Sequence, residues 1–142
     1  MNTNLSKQIK QNFLALFSII IAISALSYNS WRNERSEANR NIRAAGFEIM
    51  REAAHLQYIV DSTTFSNNPQ KTDPINGWVK VGLIVSLSEL MMPEVEQKSL
   101  QLKTVWSNNW SSLQADKQAN EKISEANAEL LTQVRKNLLM LN

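Results

Sequence analysis

The sequence predicts an all-α protein in which an N-terminal transmembrane helix continues into an antiparallel bundle of about four helices. Three observations support this fold class: a charge-free apolar run near the N-terminus, apolar residues at helical spacing in the remainder, and short polar or proline-containing breaks between the periodic segments. With 142 residues, 43% of them apolar, the chain has room for one modest core. We therefore expect no second folded domain within these residues.

Composition removes most enzymatic chemistry. The chain has no cysteine and one histidine, His55, which excludes disulfide scaffolds, cysteine nucleophiles and most metal sites. The three glycines form no phosphate-binding loop. Two residues near the N-terminus, Lys7 and Lys10, account for the net charge of +2, and the rest of the chain is neutral. No basic face for nucleic acid is therefore expected. We predict a non-enzymatic protein without a cofactor.

Residues 1–12 form a short polar, basic tail, and residues 13–31 are predicted to be a transmembrane helix. No charged residue occurs from 13 to 28. Residues 12–31 provide the roughly 20 residues that cross a bilayer, and Tyr28 and Trp31 suit the headgroup level. A buried core helix is the alternative, but the rest of the chain is not apolar enough to surround one.

A cleavable signal peptide is a second alternative for this segment. Lys7 and Lys10 form a basic start, residues 13–25 an apolar middle, and Ala25 and Ser27 are small residues of the kind that signal peptidase accepts. Arg32 and Arg35 argue against cleavage, because early positive charges in a mature chain oppose export.

Charge asymmetry favours a C-terminal domain in the cytoplasm, because more basic residues follow the apolar segment than precede it. The arginines that follow it are Arg32, Arg35, Arg40 and Arg43. A periplasmic domain stays open, since a short basic tail also precedes many anchors that face the periplasm. Arg32 and Arg35 are candidate contacts for lipid headgroups, although ion pairs on an ordinary helix surface fit them equally well.

Residues 32–142 are predicted to form the helical bundle, with a first helix at about 31–60 that continues the membrane helix. Its apolar stripe has coiled-coil spacing, interrupted by Arg35 and Glu52. The stripe comprises Trp31, Ala38, Ile42, Ala45, Ile49, Leu56 and Ile59. The face with Ala38, Ile42 and Ile49 is the candidate contact for a protein partner or a second copy. A second partial stripe widens the apolar face; it comprises Phe47, Met50, Ala54 and Tyr58.

Three further helices follow, at about 74–92, 93–113 and 117–141. A polar loop over 62–73 precedes the first of them, with Asp73 as cap and Pro74 at the first helical position. That helix is apolar nearly all round, so it lies either at the centre of a bundle or against the membrane. Pro93 begins the next helix, and Asp116 caps the last.

The third and fourth bundle helices each carry one apolar side. In the third it comprises Val95, Leu102, Trp106, Trp110 and Leu113. In the fourth it comprises Ile123, Ala126, Leu130, Val134, Leu138 and Leu141. Short connections make successive helices antiparallel neighbours.

Two residue groups are candidates for chemistry. Glu48, Glu52 and His55 share a helix face, and Glu52 and His55 have the Glu-x-x-His spacing of carboxylate-bridged metal sites. A complete site needs two such motifs, so a solvated or helix-pairing polar face is favoured and no metal ligand is assigned.

The second group is aromatic. Trp78, Trp106 and Trp110 are candidates for a ligand pocket, although tryptophans at helical spacing more often lie in a core.

The sequence from Tyr28 to Arg35, Tyr-Asn-Ser-Trp-Arg-Asn-Glu-Arg, follows a single apolar span and leads into a helix rich in Arg and Asn. This layout resembles a group of uncharacterised bacterial single-pass inner-membrane proteins with a helical soluble domain. The resemblance covers residues 13–60 and implies no activity. In architecture alone, an anchored four-helix domain is similar to the sensing halves of chemoreceptors, but this sequence has no second span or signalling module.

Together these features predict a membrane-anchored helical interaction or adaptor module, with the lipid bilayer and a protein partner or a second copy as its partners. The alternative is a periplasmic ligand-sensing or envelope-associated bundle that uses the three tryptophans.

Overall fold

A computed structural model of the protein describes residues 12–66 and 75–141, and over these residues the chain is all-α, as predicted. Over the described residues the α-helices are α1 (Phe13–Phe65), α2 (Ile75–Ser88), α3 (Pro93–Asn109) and α4 (Lys117–Met140). A single 3₁₀ turn, Trp110–Ser112, follows α3. The predicted tail, the second half of the predicted loop and its Asp73–Pro74 cap lie outside the described residues.

The chain divides into two compact units, Met1–Ala38 and Asn39–Asn142. Helix α1 contributes residues to both units. In the N-terminal unit the described residues form one helical segment, which is rich in apolar side chains. The second unit contains the rest of α1 together with α2, α3 and α4, and it holds the hydrophobic core.

Helix ends differ from the predicted ones where hydrogen bonds override periodicity. Helix α1 runs to Phe65 rather than 60, and its last turn contacts α4 through a 3.3 Å hydrogen bond from Asn120 to Thr64. Helix α2 ends at Ser88 rather than 92, because Leu90 and Met91 donate to carbonyls three residues back, at 3.2 and 3.0 Å.

Proline separates α2 from α3. Pro93 keeps Met92 extended, with ψ at 150°, and is itself the first residue of α3. At the other end of this region, the predicted third helix becomes α3 plus the 3₁₀ turn.

The core of the second unit contains one face of every helix. The largest side chains with essentially no exposure are Trp106, Ile49, Leu56, Ile84, Leu102, Leu113, Ile123 and Leu130. Most of the predicted apolar sides of α3 and α4 are confirmed by this burial, with Trp110, Ala126 and Leu138 packed at the edge of the core. The core side of α1 also buries Glu52.

A ladder of polar side chains joins α1 to α4. The amide nitrogen of Gln57 donates to the hydroxyl of Ser124 at 2.7 Å and to Asp61 Oδ1 at 3.0 Å. Asn120 donates to the same Asp61 oxygen at 3.0 Å. One heptad later Asn127 donates to the carbonyl of Ala53 at 2.9 Å. Because these groups lie in or beside the core, another alignment of the two helices would leave several of them without partners.

Two glycines allow close helix contacts. A Cβ built at Gly77 on α2 would overlap two ring carbons of Trp106 on α3. A Cβ at Gly46 on α1 would lie 2.8 Å from the end of the Leu138 side chain. Gly82, also on α2, would meet nothing within 4 Å. The indole of Trp106 is rigid and fully buried, so the contact at Gly77 has the least freedom to adjust.

We expect Gly77→Ala to lower the free energy of unfolding by about 1–3 kcal/mol, because the new methyl group overlaps the Trp106 ring. The matched change Gly82→Ala, in the same helix, should raise it by up to about 1 kcal/mol through better helix propensity. Denaturant unfolding followed by tryptophan fluorescence compares the two variants. Stabilisation by both substitutions would contradict the close contact between α2 and Trp106.

Candidate functional site

Residues 13–31 of α1 expose an uncharged, largely apolar surface all round the helix. An 18-residue window of α1 has a mean hydropathy of 1.8, and none of it is buried. Leu14, Ile20 and Leu26 are 78%, 61% and 71% exposed. By length and composition this is the one helix among the described residues that is able to cross a membrane. Core helices of soluble proteins and signal sequences satisfy the same two criteria, but a core helix would be largely buried.

Aromatic and basic residues follow the apolar window. The rings of Tyr28 and Trp31 have centroids 6.1 Å apart, and the guanidinium carbon of Arg35 lies 5.1 Å from the centre of the Trp31 ring. This cation–π contact restricts the side chain of Arg35, one of the two residues predicted to contact lipid headgroups. Arg32, the other, is exposed. Tyrosine, tryptophan and arginine side chains together suit the boundary between lipid and water.

The predicted partner face of Ala38, Ile42 and Ile49 is not a single exposed surface. Ala38 is exposed and Ile42 is partly buried, each in its own unit, whereas Ile49 has no exposure and packs in the core. Including Ile49 in a partner face was wrong, because α1 uses that side to contact the rest of the bundle. Coiled-coil spacing indicates an apolar seam but not whether the seam is filled by the same chain.

The opposite side of α1 exposes large aromatic side chains. Phe47, Tyr58 and Phe65 are 64%, 65% and 61% exposed, and Ala54 lies between them on the same face. Of the second stripe predicted from the sequence, Met50 packs at the edge of the core, whereas the described helices leave Phe47, Ala54 and Tyr58 open to solvent. Exposed aromatic residues in a row are typical of interaction surfaces.

The three candidate pocket tryptophans pack against one another. The ring centroid of Trp78 lies 6.3 Å from that of Trp106 and 6.3 Å from that of Trp110, and both pairs meet edge to face. Trp106 is fully buried, with Gly77 against its ring. The cluster therefore joins α2 to α3 and to the 3₁₀ turn that follows α3, with Trp106 in the core and Trp78 and Trp110 partly buried against it.

Glu52 is a buried carboxylate surrounded by basic groups. Lys80 Nζ on α2 lies 2.7 Å from Glu52 Oε2, while Arg51 Nε and His55 Nδ1 each lie 3.6 Å from Oε1. The hydrogen bond and charge of Lys80, assisted by the charges of His55 and Arg51, hold the pKa of Glu52 below its ordinary value, although burial opposes this.

This environment suits an ion pair between helices rather than a cation site. Glu48, the other carboxylate of the candidate motif, pairs with Arg51. Among residues 12–66 and 75–141 no group of three His, Cys, Asp or Glu side chains is placed to hold a metal ion. The Glu-x-x-His spacing places Glu52 against Lys80 of α2 and leaves His55 at the surface of α1.

A groove that the sequence did not predict lies between α3 and α4. The groove has a volume of about 700 Å³ and opens widely to solvent. The residues that line it are Gln97, Leu100, Gln101, Thr104, Val105, Asn108, Asn109, Lys122, Glu125, Ala126 and Glu129. Side chains from two helices meet here, and only the relative placement of the helices brings them together. Amide and hydroxyl groups in the lining offer hydrogen bonds to a polar ligand, and Lys122, Glu125 and Glu129 add charges of both signs.

Comparison with known proteins gives no further assignment: no protein family model, no curated protein and no solved structure matches the chain. Any functional assignment therefore rests on the sequence and geometry of the chain itself.

Replacing Glu52 with Gln should lower the free energy of unfolding by about 1–3 kcal/mol at pH 7, because Lys80 loses its charged partner inside the domain. The folded-state pKa of Glu52 lies below the ordinary 4.5, so its stabilisation is present above that value and is lost as pH falls through the folded-state pKa. The stability gap between wild type and variant should therefore narrow on acidification.

Denaturant unfolding from pH 7 down to pH 3 measures this gap. Glu121→Gln, at an exposed position on α4, is the matched control and should change stability by less than about 0.5 kcal/mol. A gap that stays constant across this range would show that the Glu52 charge does not stabilise the fold.

Proposed function

We propose that the protein is a single-pass protein of the bacterial inner membrane whose helical domain is a non-enzymatic interaction or adaptor module. The observation that carries the proposal is that none of the apolar window in α1 is buried. Water contact of this surface is unfavourable by about 25 cal/mol for each Å² of apolar area, and insertion into lipid removes it. A transmembrane helix accounts for the length, the lack of charge and the lack of burial together.

For the side of the membrane, we propose a cytoplasmic C-terminal domain. Arg32, Arg35, Arg40 and Arg43 follow the apolar segment, and positive charge near a span favours the cytoplasmic side. The stacking of Arg35 on Trp31 supports a boundary at this level, since it combines an aromatic ring with a cation that attracts anionic headgroups.

The interaction role is supported by the outer face of α1. Phe47, Tyr58 and Phe65 combine large apolar area with exposure above one half. Aromatic side chains are enriched at the buried centres of protein interfaces. Because Ile49 lies in the core, we take this outer face, rather than the face with Ala38, Ile42 and Ile49, as the main contact for a partner. Ala38 is still exposed.

The alternative function is ligand sensing or envelope association in the periplasm. The tryptophan cluster gives it little support, because Trp106 is fully buried in the core. A ligand surface that is open to solvent is the α3–α4 groove, whose amide side chains suit a small polar molecule. The two functions differ in the compartment that they require.

The anchor is tested by charge insertion. Ile20→Arg with Ile23→Arg should move the full chain from alkali-washed membranes to the soluble fraction, since each arginine near the middle of a span costs about 2.5–3.5 kcal/mol. The matched control, Ile20→Leu with Ile23→Leu, should stay in the membrane.

In the same strains, a fluorescent protein fused to the C-terminus should be active and an alkaline phosphatase fusion inactive. Release of the wild-type chain from the membrane by alkali would contradict the anchor. So would a measured mass that corresponds to a mature chain starting after Ser27. An active phosphatase would instead favour the periplasmic alternative.

The interaction face is tested by polar substitution. Phe47→Ser with Tyr58→Ser should abolish chemical crosslinking of the full chain to its partner in membranes, because the aromatic contact area is removed. Leu139→Ser changes a side chain that is 84% exposed on α4 and serves as the control. Equal crosslinking of the double variant and the control would exclude the outer face of α1.

A further inference from the structure

Six residues on the outer face of α1 form a regular stripe. Phe47, Arg51, Ala54, Tyr58, Asp61 and Phe65 are the members of this outer stripe. Their successive spacings alternate between four and three residues, which is the a/d spacing of a coiled coil. At about 100° per residue they lie on the side of α1 opposite the core residues Ile49, Leu56 and Val60.

The outer stripe has the same spacing when it is followed in either direction. In reversed order Phe65 takes the place of Phe47, Asp61 that of Arg51, and Tyr58 that of Ala54. An antiparallel copy of the helix therefore brings aromatic against aromatic, negative against positive, and large against small. Each of these pairings is favourable across a helix seam, and the a-with-d layers are those of an antiparallel coiled coil.

We propose that the outer stripe binds the outer stripe of a second copy of this chain, with the two α1 stripes antiparallel. The two-fold axis passes at the level of Leu56, so that Phe47 meets Phe65 of the second copy, Arg51 meets Asp61, and Ala54 meets Tyr58. The inference rests on the proposed interaction function and names its partner.

A parallel pair is less favourable for electrostatic reasons. In that arrangement each residue faces its own copy, so Arg51 faces Arg51 and Asp61 faces Asp61 in two of the six layers. Like charges opposite each other in a seam are destabilising. The aromatic layers alone do not distinguish the two orientations, and the charged layers do.

Both charged residues can reach a second copy. The side chain of Arg51 is 63% exposed, although it also pairs with Glu48 and Glu52. A guanidinium has five N–H donors and can serve several acceptors. Asp61 is half-buried and receives its hydrogen bonds from Gln57 and Asn120 at Oδ1. A carboxylate has a second oxygen that can accept from the arginine.

The expected interface is small. From Phe47 to Phe65 the stripe is about 27 Å long at 1.5 Å per residue, and a single helix seam of this length belongs to the class of weak interfaces. The pair should therefore exchange between copies rather than form a permanent dimer, and a covalent trap is the appropriate assay.

A bilayer restricts the direction in which two stripes meet. Two copies anchored in one membrane form an antiparallel pair only where the stripes run along the membrane surface, because upright helices from one bilayer are parallel. Detergent removes this restriction, so the preference of the stripe itself is measured on the solubilised chain.

Cysteine trapping tests the orientation directly, because the natural chain has no cysteine to interfere. Full-length chains carrying Phe47→Cys and Phe65→Cys, each with its own affinity tag, are purified in detergent, mixed and oxidised mildly. We expect a disulfide between the two variants and little or none within either variant alone, since the two copies of residue 47 lie about 27 Å apart in the antiparallel pair. In the mixed pair the other aromatic layer is preserved.

A charge substitution provides the second arm. Arg51→Glu places two negative groups in each charged layer and should weaken self-association by at least tenfold in sedimentation experiments on the detergent-solubilised chain. Arg135→Glu makes the same charge change at an exposed position on α4 and should leave self-association unchanged. Circular dichroism of both variants establishes that the helices are retained.

Three results would overturn the proposal. Disulfide formation by Phe47→Cys alone would indicate a parallel pair, and equal weakening by both charge variants would indicate a nonspecific charge effect. Crosslinking of the outer stripe to a chain of different mass, without self-association, would identify another partner. This crosslinking result would refute the antiparallel pair but not the proposed interaction function. Failure of the membrane-anchor test would refute the proposed function, and it would not affect disulfide trapping in detergent.

Discussion

The side-chain hydrogen bonds between α1 and α4 fix the alignment on which the second unit depends. Gln57, Asp61, Asn120 and Asn127 take part in one connected set of donors and acceptors in or beside the core. Apolar contacts alone would tolerate a shift of one helix along the other by a turn. The polar ladder makes such a shift costly, because each buried amide or carboxylate without a partner is destabilising. The faces of α1 therefore have defined roles: one in the core, one open to solvent.

Glu52 shows how the core contact of α1 changes the meaning of a sequence motif. In the sequence it is the carboxylate of a Glu-x-x-His pair, which suits metal binding. In the structure Lys80 from α2 lies 2.7 Å away and supplies the positive charge that a metal would otherwise supply. A buried carboxylate needs a cation, and helix packing supplies a lysine. The residue joins α1 to α2 on the same side as Ile49, which removes that side from any partner.

The fold was largely predictable because its signals are local and repeated. Val95, Leu102 and Trp106 in α3, and Ile123, Leu130 and Val134 in α4, recur at helical spacing and are all buried. Asp116 accepts a hydrogen bond from the backbone of Gln118 at 2.8 Å, as expected for an N-cap. The end of α2 was less predictable, since apolar residues continue to Met92 while the backbone turns at Ser88. Apolar periodicity indicates which residues can be buried, whereas backbone hydrogen bonds determine where the helix ends.

The candidate surfaces were harder to predict, because a side chain's exposure depends on residues that are distant in sequence. Phe47 and Ile49 are both apolar and two positions apart on α1, yet one is 64% exposed and the other is fully buried. The spacing of Trp106 favours a core but is compatible with a pocket, and the close approach of Gly77 shows that the ring lies in the core. The α3–α4 groove has no signal in either helix alone.

The all-α class, the apolar N-terminal segment, the absence of cysteine chemistry and the apolar sides of α3 and α4 follow from composition and short-range spacing. These properties do not depend on how the helices are arranged. The buried face of α1, the residues around Glu52 and the aromatic side chains that stay in solvent are established by the packing of the helices. Burial and charge pairing depend on neighbours in space, and in a helical bundle those neighbours come from other helices.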